Sequence, residues 1–315
     1  MAVRMVVAVT DRNWFDCLRR QPDLTEVNFW YPSPLSFKAP LSFKALQEGE
    51  LLFFKLHAPV NKIAGWGVFD RAYNLPLPIA WDTFGVANGA KNLTELRTRI
   101  LRYRRIEDEK AAVEIGCLVL TQPIFLPETL WFPPPPSWSP HIQRFRGYST
   151  DHAEGRALWD RYLSGSETLH APLLQPEMSE TAARYGDPVL IRPRRGQGAF
   201  RLLVTEIYGR RCAITRERTL PALEAAHIRP YAEGGGHVGS NGILMRRDVH
   251  SLFDAGYVTV TPDYRFEVSK RIREEFENGR DYYALHGSPV TVPERSELQP
   301  DRNVLEWHNQ KRFLG

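Results

Sequence analysis

One segment limits the folds open to this chain more than any other: LEAAHIRPYAEGGGHVGSNGILMRRDVHSLFDAG, starting at Leu223 and ending at Gly256. LEAAHI has strand propensity at its end and sets His227 at a strand tip. Strand alternation puts Glu224 and Ala226 on the face opposite Ala225 and His227. A glycine-rich stretch then turns the chain, Asn241 opens the return, and the helix that follows carries His250 and Asp254 on one face, one turn apart. Two hairpin strands and a helix would then enclose a single cation. Taken singly, each residue has an ordinary explanation. A histidine at a strand end is most often structural or exposed, Asp254 can cap or hydrogen-bond near a helix end, Asp248 can pair with Arg246 or Arg247, and His237 reads as a loop residue.

Together they suit one chemistry. Hydrolysing a phosphodiester needs a base for water, a cation for the leaving oxygen and donors for the phosphate. A neutral histidine serves as that base near neutral pH. Charge points the same way. Net charge is only +4, yet residues 192–218 hold eight arginines against two acids, Glu206 and Glu217. Such a run is usually a solvated face, but beside a candidate cation site it becomes a phosphate-binding surface. Arg195, Arg216, Arg218 and Arg229 are the candidate nucleic-acid contacts, since guanidinium groups grip phosphate in a bidentate way.

The ordered set Glu224, His227, Asn-Gly at 241–242 and LHxLFDxG-like VHSLFDAG at 249–256 resembles the HNH (ββα-metal) endonuclease family. The likeness runs over about residues 194–315 and takes in GQGAFR at 196–201 and CAIT at 212–215. It implies a general base at His227, a bracing Asn241 that orients it, a metal ligand at His250 and a second ligand at Asp254. Two departures stand out. Ala226 occupies the position before the base where relatives often carry a ligand, and Glu224 can substitute directly or through water. Cys212 is followed by Thr215, so the paired-cysteine zinc knuckle of many relatives is missing. An oxygen-rich site with one or two imidazoles suits Mg2+ or Mn2+, with Zn2+ or Ni2+ as alternatives.

The rest of the chain reads as a separate module. RMVVAVT and ELLFFKLH are strand-length apolar runs, KIAGWGVFD follows after a turn, and VEIGCLVLTQPIFL reads as a strand pair. NLTELRTRILRYRR has helical spacing with an Asn92–Glu95 capping start. Three scattered cysteines argue against a disulfide scaffold, and no apolar run is long enough to span a membrane. The opening residues read as a first strand rather than a signal peptide, and the expected location is cytoplasmic. PLSFKA is repeated in tandem at 34–45, too short for a repeat architecture and read as a local duplication in a loop.

QEGELLFFKLHAPVNKIAGWGVF resembles the core of PUA-superfamily domains of the EVE and ASCH types. That resemblance implies a curved β-barrel holding a flipped or unpaired base in an aromatic pocket. Trp30, Trp66 and Trp81, each near loop-forming residues, are the candidate pocket walls. The expected architecture is α+β: a PUA-like reader at 1–148, a helix and linker at 149–185, and a ββα-metal nuclease at 186–315. Such a fusion resembles modification-dependent (type IV) restriction enzymes. Its expected partner is double-stranded DNA bearing modified bases, modified cytosine first among them, with two copies pairing on DNA for a double-strand break. The alternatives are a non-catalytic reader with a decayed metal site and a nuclease for another target, such as phosphorothioate DNA or structured RNA.

Overall fold

In the computed structural model the described residues are 2–35, 46–170, 190–191 and 195–315, with the side chains of 167–170 excepted. Most of the PLSFKA duplication and the 171–185 part of the expected linker lie outside them. The chain forms two compact units, Met1–Arg195 and Gly196–Gly315.

The first unit contains β1 (Arg4–Thr10), α1 (Arg12–Leu18), β2 (Glu26–Tyr31), β3 (Leu51–Leu56) and β4 (Ile63–Pro76). Next come α2 (Leu77–Phe84), α3 (Leu93–Arg104), β5 (Glu114–Phe125), β6 (Phe145–Ser149) and α4 (Ala153–His170). Its six strands pair in the order β2-β5-β4-β3-β1-β6. Only β1 and β3 are parallel; the other neighbours are antiparallel. Apolar runs such as LLFF arise because both faces of this sheet are covered. Val6, Ala8, Leu52 and Phe54 pack with Trp14, Phe15 and Leu18 of α1. Met5, Val7, Leu51 and Phe53 pack on the opposite face with Leu158 and Trp159 of α4.

Two sequence expectations need adjustment here. VEIGCLVLTQPIFL makes one 12-residue strand, not two, because it pairs with β4 continuously from Gly65 to Pro76. Irregularities between Trp66 and Val68 and between Phe69 and Arg71 let the pair bend without a turn. The helix after β6 runs to His170, into the stretch read as linker, and packs with the first unit. Asn92 does cap α3, its side chain accepting from the Glu95 amide at 2.8 Å.

The second unit contains α5 (Gln197–Ile207), β7 (Leu223–His227), β8 (Gly242–Arg246), α6 (Arg247–Asp254), β9 (Val258–Val260) and β10 (Phe266–Val268). It ends with α7 (Arg271–Phe276), α8 (Arg280–Tyr283) and α9 (Arg302–Lys311). β7 and β8 form an antiparallel hairpin in which His227 faces Gly242 and Glu224 faces Met245. One core unites α5 (Phe200, Val204), the hairpin (Ala226, Ile243, Met245), α6 (Val249, Phe253) and Leu305 of α9. The hairpin and α6 are thereby fixed against each other through fully buried side chains.

Candidate nuclease site

The site is built at the loop end of the β7–β8 hairpin. Because β8 starts at Gly242 directly opposite His227, α5 can approach closely there. A Cβ at Gly242 would lie 2.4 Å from Val204 Cγ2 and 3.0 Å from Phe200 Cζ. That approach lays the Phe200 ring flat on the His227 imidazole, with centroids 3.8 Å apart and planes 14° from parallel.

Asn241 closes the loop between the strands. Its carboxamide oxygen accepts from the Arg229 amide at 2.9 Å, and its nitrogen donates to the carbonyls of Arg229 and Gly236, both at 3.0 Å. With only 4% of its surface exposed, Asn241 has few other partners to choose from. Gly235 is wedged beneath it, where a Cβ would meet the Arg229 oxygen at 1.8 Å.

The loop so held delivers His237, which local pattern assigns to the loop alone. His237 Nδ1 lies 3.0 Å from His227 Nε2, and its ring stacks on Tyr231 at 4.7 Å and 10°. Burial, reinforced by the positive charge that His237 and His250 would carry, pushes His227 down to about 4. His237 is lowered too, by burial. Both rings are therefore neutral near neutral pH. The only sequence cue to His237 was its place in the loop of a hairpin with a histidine at its end.

A second cluster joins β7 to α6. His250 Nδ1 lies 2.8 Å from Glu224 Oε2, and its Nε2 lies 3.2 Å from Asp254 Oδ2. The other Glu224 oxygen accepts from Arg247 Nε at 2.7 Å. Burial is the largest influence on Glu224 and opposes ionisation, but His250 and Arg247 outweigh it and hold the carboxyl below its usual range. Burial raises Asp254, against the pull of His250 and Arg312. Asp248 points elsewhere, forming a two-point ion pair with Arg246 at 2.6 Å and accepting from the Tyr282 hydroxyl.

Among the described residues, no three His, Cys, Asp or Glu side chains converge on one point as a ready metal cage. The donor chemistry nevertheless fits a cation at His250 and Asp254. If the Nδ1 proton goes to Glu224, a neutral imidazole presents its Nε2 lone pair to an Asp254 oxygen. Two lone pairs at that distance call for a second ring proton or a cation between them. A metal-bound histidine commonly gives its other N–H to a carboxylate, which is where Glu224 stands.

The remaining candidates divide. Arg216 and Arg218 are exposed, and the Arg229 guanidinium lies over the Trp307 ring at 5.4 Å. Arg195 lies in the first unit, where it pairs with Asp70 at 2.8 Å and with Glu48, so its charge is already matched by carboxylates. Trp66 is 1% exposed and packs edge-on against Phe53 and Tyr162, which makes it a core residue. Trp30 is half-buried and donates its indole N–H to the Asn88 carbonyl at 2.9 Å; Trp81 on α2 is also half-buried.

Residues 212–261 match the HNH endonuclease family, and this part of the chain is an HNH endonuclease domain. Among solved structures, an ASCH protein from Zymomonas mobilis is similar at 11% identity and a TM-score of 0.31, over 51% of this chain and 94% of its own. The modification-dependent TagI restriction endonuclease is similar at 14% identity and a TM-score of 0.32, over 98% of this chain and 81% of its own. The type IV phosphorothioation-dependent restriction endonuclease ScoMcrA is similar at 14% identity and a TM-score of 0.22, over 96% of this chain and 53% of its own. No curated protein sequence matches the chain. None of the described helices is long and apolar enough to cross a membrane.

Proposed function

We propose that the protein is a modification-dependent DNA endonuclease whose second unit cuts and whose first unit reads a modified base, with modified cytosine the preferred mark. The observation that carries the reading is the placement of His227, Asn241 and His250 on one hairpin–helix scaffold, the first neutral, the second bracing the loop between.

In this reading His227 takes a proton from the attacking water. Phe200 fixes the plane of its ring, and Asn241 fixes the loop that borders it. His250 and Asp254 hold a divalent cation, Mg2+ or Mn2+, while Glu224 orients His250 through Nδ1. When bound, that ion supplies positive charge to stabilise the departing oxygen. Arg216, Arg218 and Arg229 belong to the face that neutralises the DNA backbone. In the first unit, Trp30 and Trp81 are the aromatic surfaces offered to a base, consistent with the resemblance of the 47–69 segment to PUA-superfamily domains. Two copies acting together on DNA would account for cutting of both strands.

The test is cleavage of otherwise identical plasmids carrying cytosine, 5-methylcytosine or 5-hydroxymethylcytosine, in Mg2+ and in Mn2+, with His227→Ala alongside. Cutting of modified plasmid alone, lost in His227→Ala, is the expected result. Equal cutting of all three would remove the modified-cytosine reader and keep the nuclease. Selective binding without any cutting would instead make the protein a reader with a decayed site.

A further inference from the structure

We propose that His237 is a positioning residue for His227, holding it in the tautomer protonated at Nε2 so that Nδ1 is left to take the proton from water. The inference rests on the reading of His227 as the general base. It starts from the 3.0 Å contact between His227 Nε2 and His237 Nδ1. Two neutral imidazoles can share such a contact only if one ring donates its single N–H and the other accepts. Were His237 the donor, the Nε2 lone pair of His227 would be spent and its Nδ1 would carry the proton. No basic atom would remain. His227 must therefore donate from Nε2, which leaves Nδ1 as the base.

The surroundings hold this arrangement rigidly. Phe200 of α5 lies against one face of His227, and Tyr231 stacks on His237 from the same loop. The loop reaches this close because Gly235 leaves room against the Arg229 carbonyl and Asn241 pins both ends. The charged and titratable groups that bear on His227 are His237 from the loop and His250 from α6. No carboxylate is among them, so a neutral acceptor takes the place that an acid often fills beside a catalytic histidine.

The proton path follows. Water gives one proton to His227 Nδ1, and its oxygen forms the new bond to phosphorus. His227 keeps its Nε2 proton on His237 Nδ1 and becomes an imidazolium that this hydrogen bond stabilises. The bond from phosphorus to the departing oxygen breaks with its electron pair on that oxygen, which takes up a proton in exchange. The imidazolium gives up its Nδ1 proton to solvent, so His227 is returned neutral in the same Nε2–H tautomer. His237 is half-buried and held by the Tyr231 ring, so it stays in place as the acceptor while Nδ1 is left to the water.

Long-range proton–nitrogen correlation spectra of the full chain, labelled at histidine nitrogens and free of metal, read the tautomer without any need for activity. The expected result is protonated Nε2 and bare Nδ1 at His227 in the native protein. His237→Phe, which keeps a ring to stack on Tyr231, should give a mixture of tautomers. His237→Gln, whose side-chain oxygen can accept the same hydrogen bond, should restore the Nε2–H form. In single-turnover cleavage, His237→Phe should fall by about 10- to 100-fold. Its acid limb should move up from near pH 4, because a like-charge neighbour of His227 is gone. His237→Gln, which carries no charge either, should keep the raised limb while recovering part of the rate. A bare Nε2 in the native protein, or a His227 tautomer indifferent to both substitutions, would overturn the proposal. Failure of the base reading would look different: full cleavage by His227→Ala, whatever the spectra show.

Discussion

Asn241 binds the backbone of Arg229 at two points, accepting from its amide at 2.9 Å and donating to its carbonyl at 3.0 Å. A third bond, to the Gly236 carbonyl, ties the far side of the loop to the same side chain. This carboxamide is thus the knot of the loop, and it acts on His227 through the chain on either side. Asn241→Asp keeps the shape but replaces the donor nitrogen with an oxygen facing two carbonyls. The expected loss of stability is about 1–3 kcal/mol, since two part-buried acceptors lose their partner. Thermal unfolding should show a lower midpoint. Cleavage should fall further than the unfolded fraction explains, because the loop carries His237.

Gly242 makes a complementary prediction on packing. Gly242→Ala would push a methyl against Val204 and Phe200 at distances no relaxed contact allows. A cost of about 1–3 kcal/mol is expected from overpacking. Val204→Ala in the same chain should recover part of it by opening space at the nearer contact, which unfolding by urea would measure.

These relationships also show what could be read in advance. The strand tip at His227, the helix carrying His250 and Asp254, and the β9–β10 hairpin around Pro262-Asp263 all follow from local pattern, and the structure contains them. The alternation of LLFF between two cores follows too once both faces are known to be covered. What local pattern could not supply was pairing across the loop. His237 meets His227 only because Gly235 and Asn241 fold the intervening residues back, a relationship with no fixed spacing. Trp66 failed for the same reason. Its glycine neighbours suggested a loop, whereas they are strand positions at which Gly65 and Gly67 let the backbone and side chains of β5 come close.

Acid should weaken the second unit through its neutral histidines. His308 is 2% exposed, sits within hydrogen-bonding distance of Thr259 and the Phe253 carbonyl, and is pushed down to about 4, chiefly by burial. His227 is lowered to a similar value. The unfolded chain binds protons at these rings near 6.5, the folded chain only near 4, so stability falls as pH drops through that window. Below about 4 these two rings contribute no further loss. His308→Gln should flatten the slope of stability against pH between those limits. A slope unchanged by this substitution would assign it to other groups.

The carboxylates around His250 should separate by role. Asp254→Asn removes a proposed ligand, and Glu224→Gln leaves a partner for Nδ1 but without its charge. For Glu224→Gln the expected drop in Mn2+ affinity is about 10- to 100-fold, the usual effect of losing a carboxylate behind a ligating histidine. Asp254→Asn should lose more. Titration calorimetry with Mn2+ on the intact chain would rank the two, and equal affinities for both variants and the native protein would remove the metal from this cluster.

Trp66 and Trp81 test the first unit. Trp66→Ala should cost about 3–5 kcal/mol, because the ring is fully buried against Phe53, Tyr162 and the backbone at Gly165. Trp81→Ala removes a half-buried ring from the surface of α2 and should cost far less. Its effect should appear in recognition: a smaller ratio of affinity for modified over plain DNA, measured by fluorescence anisotropy on duplexes, at nearly native stability. Should Trp81→Ala bind both duplexes like the native protein while Trp30→Ala loses discrimination, the pocket lies on the β2 side, where Trp30 holds the Asn88 carbonyl. Loss of discrimination in neither would move base reading away from both tryptophans.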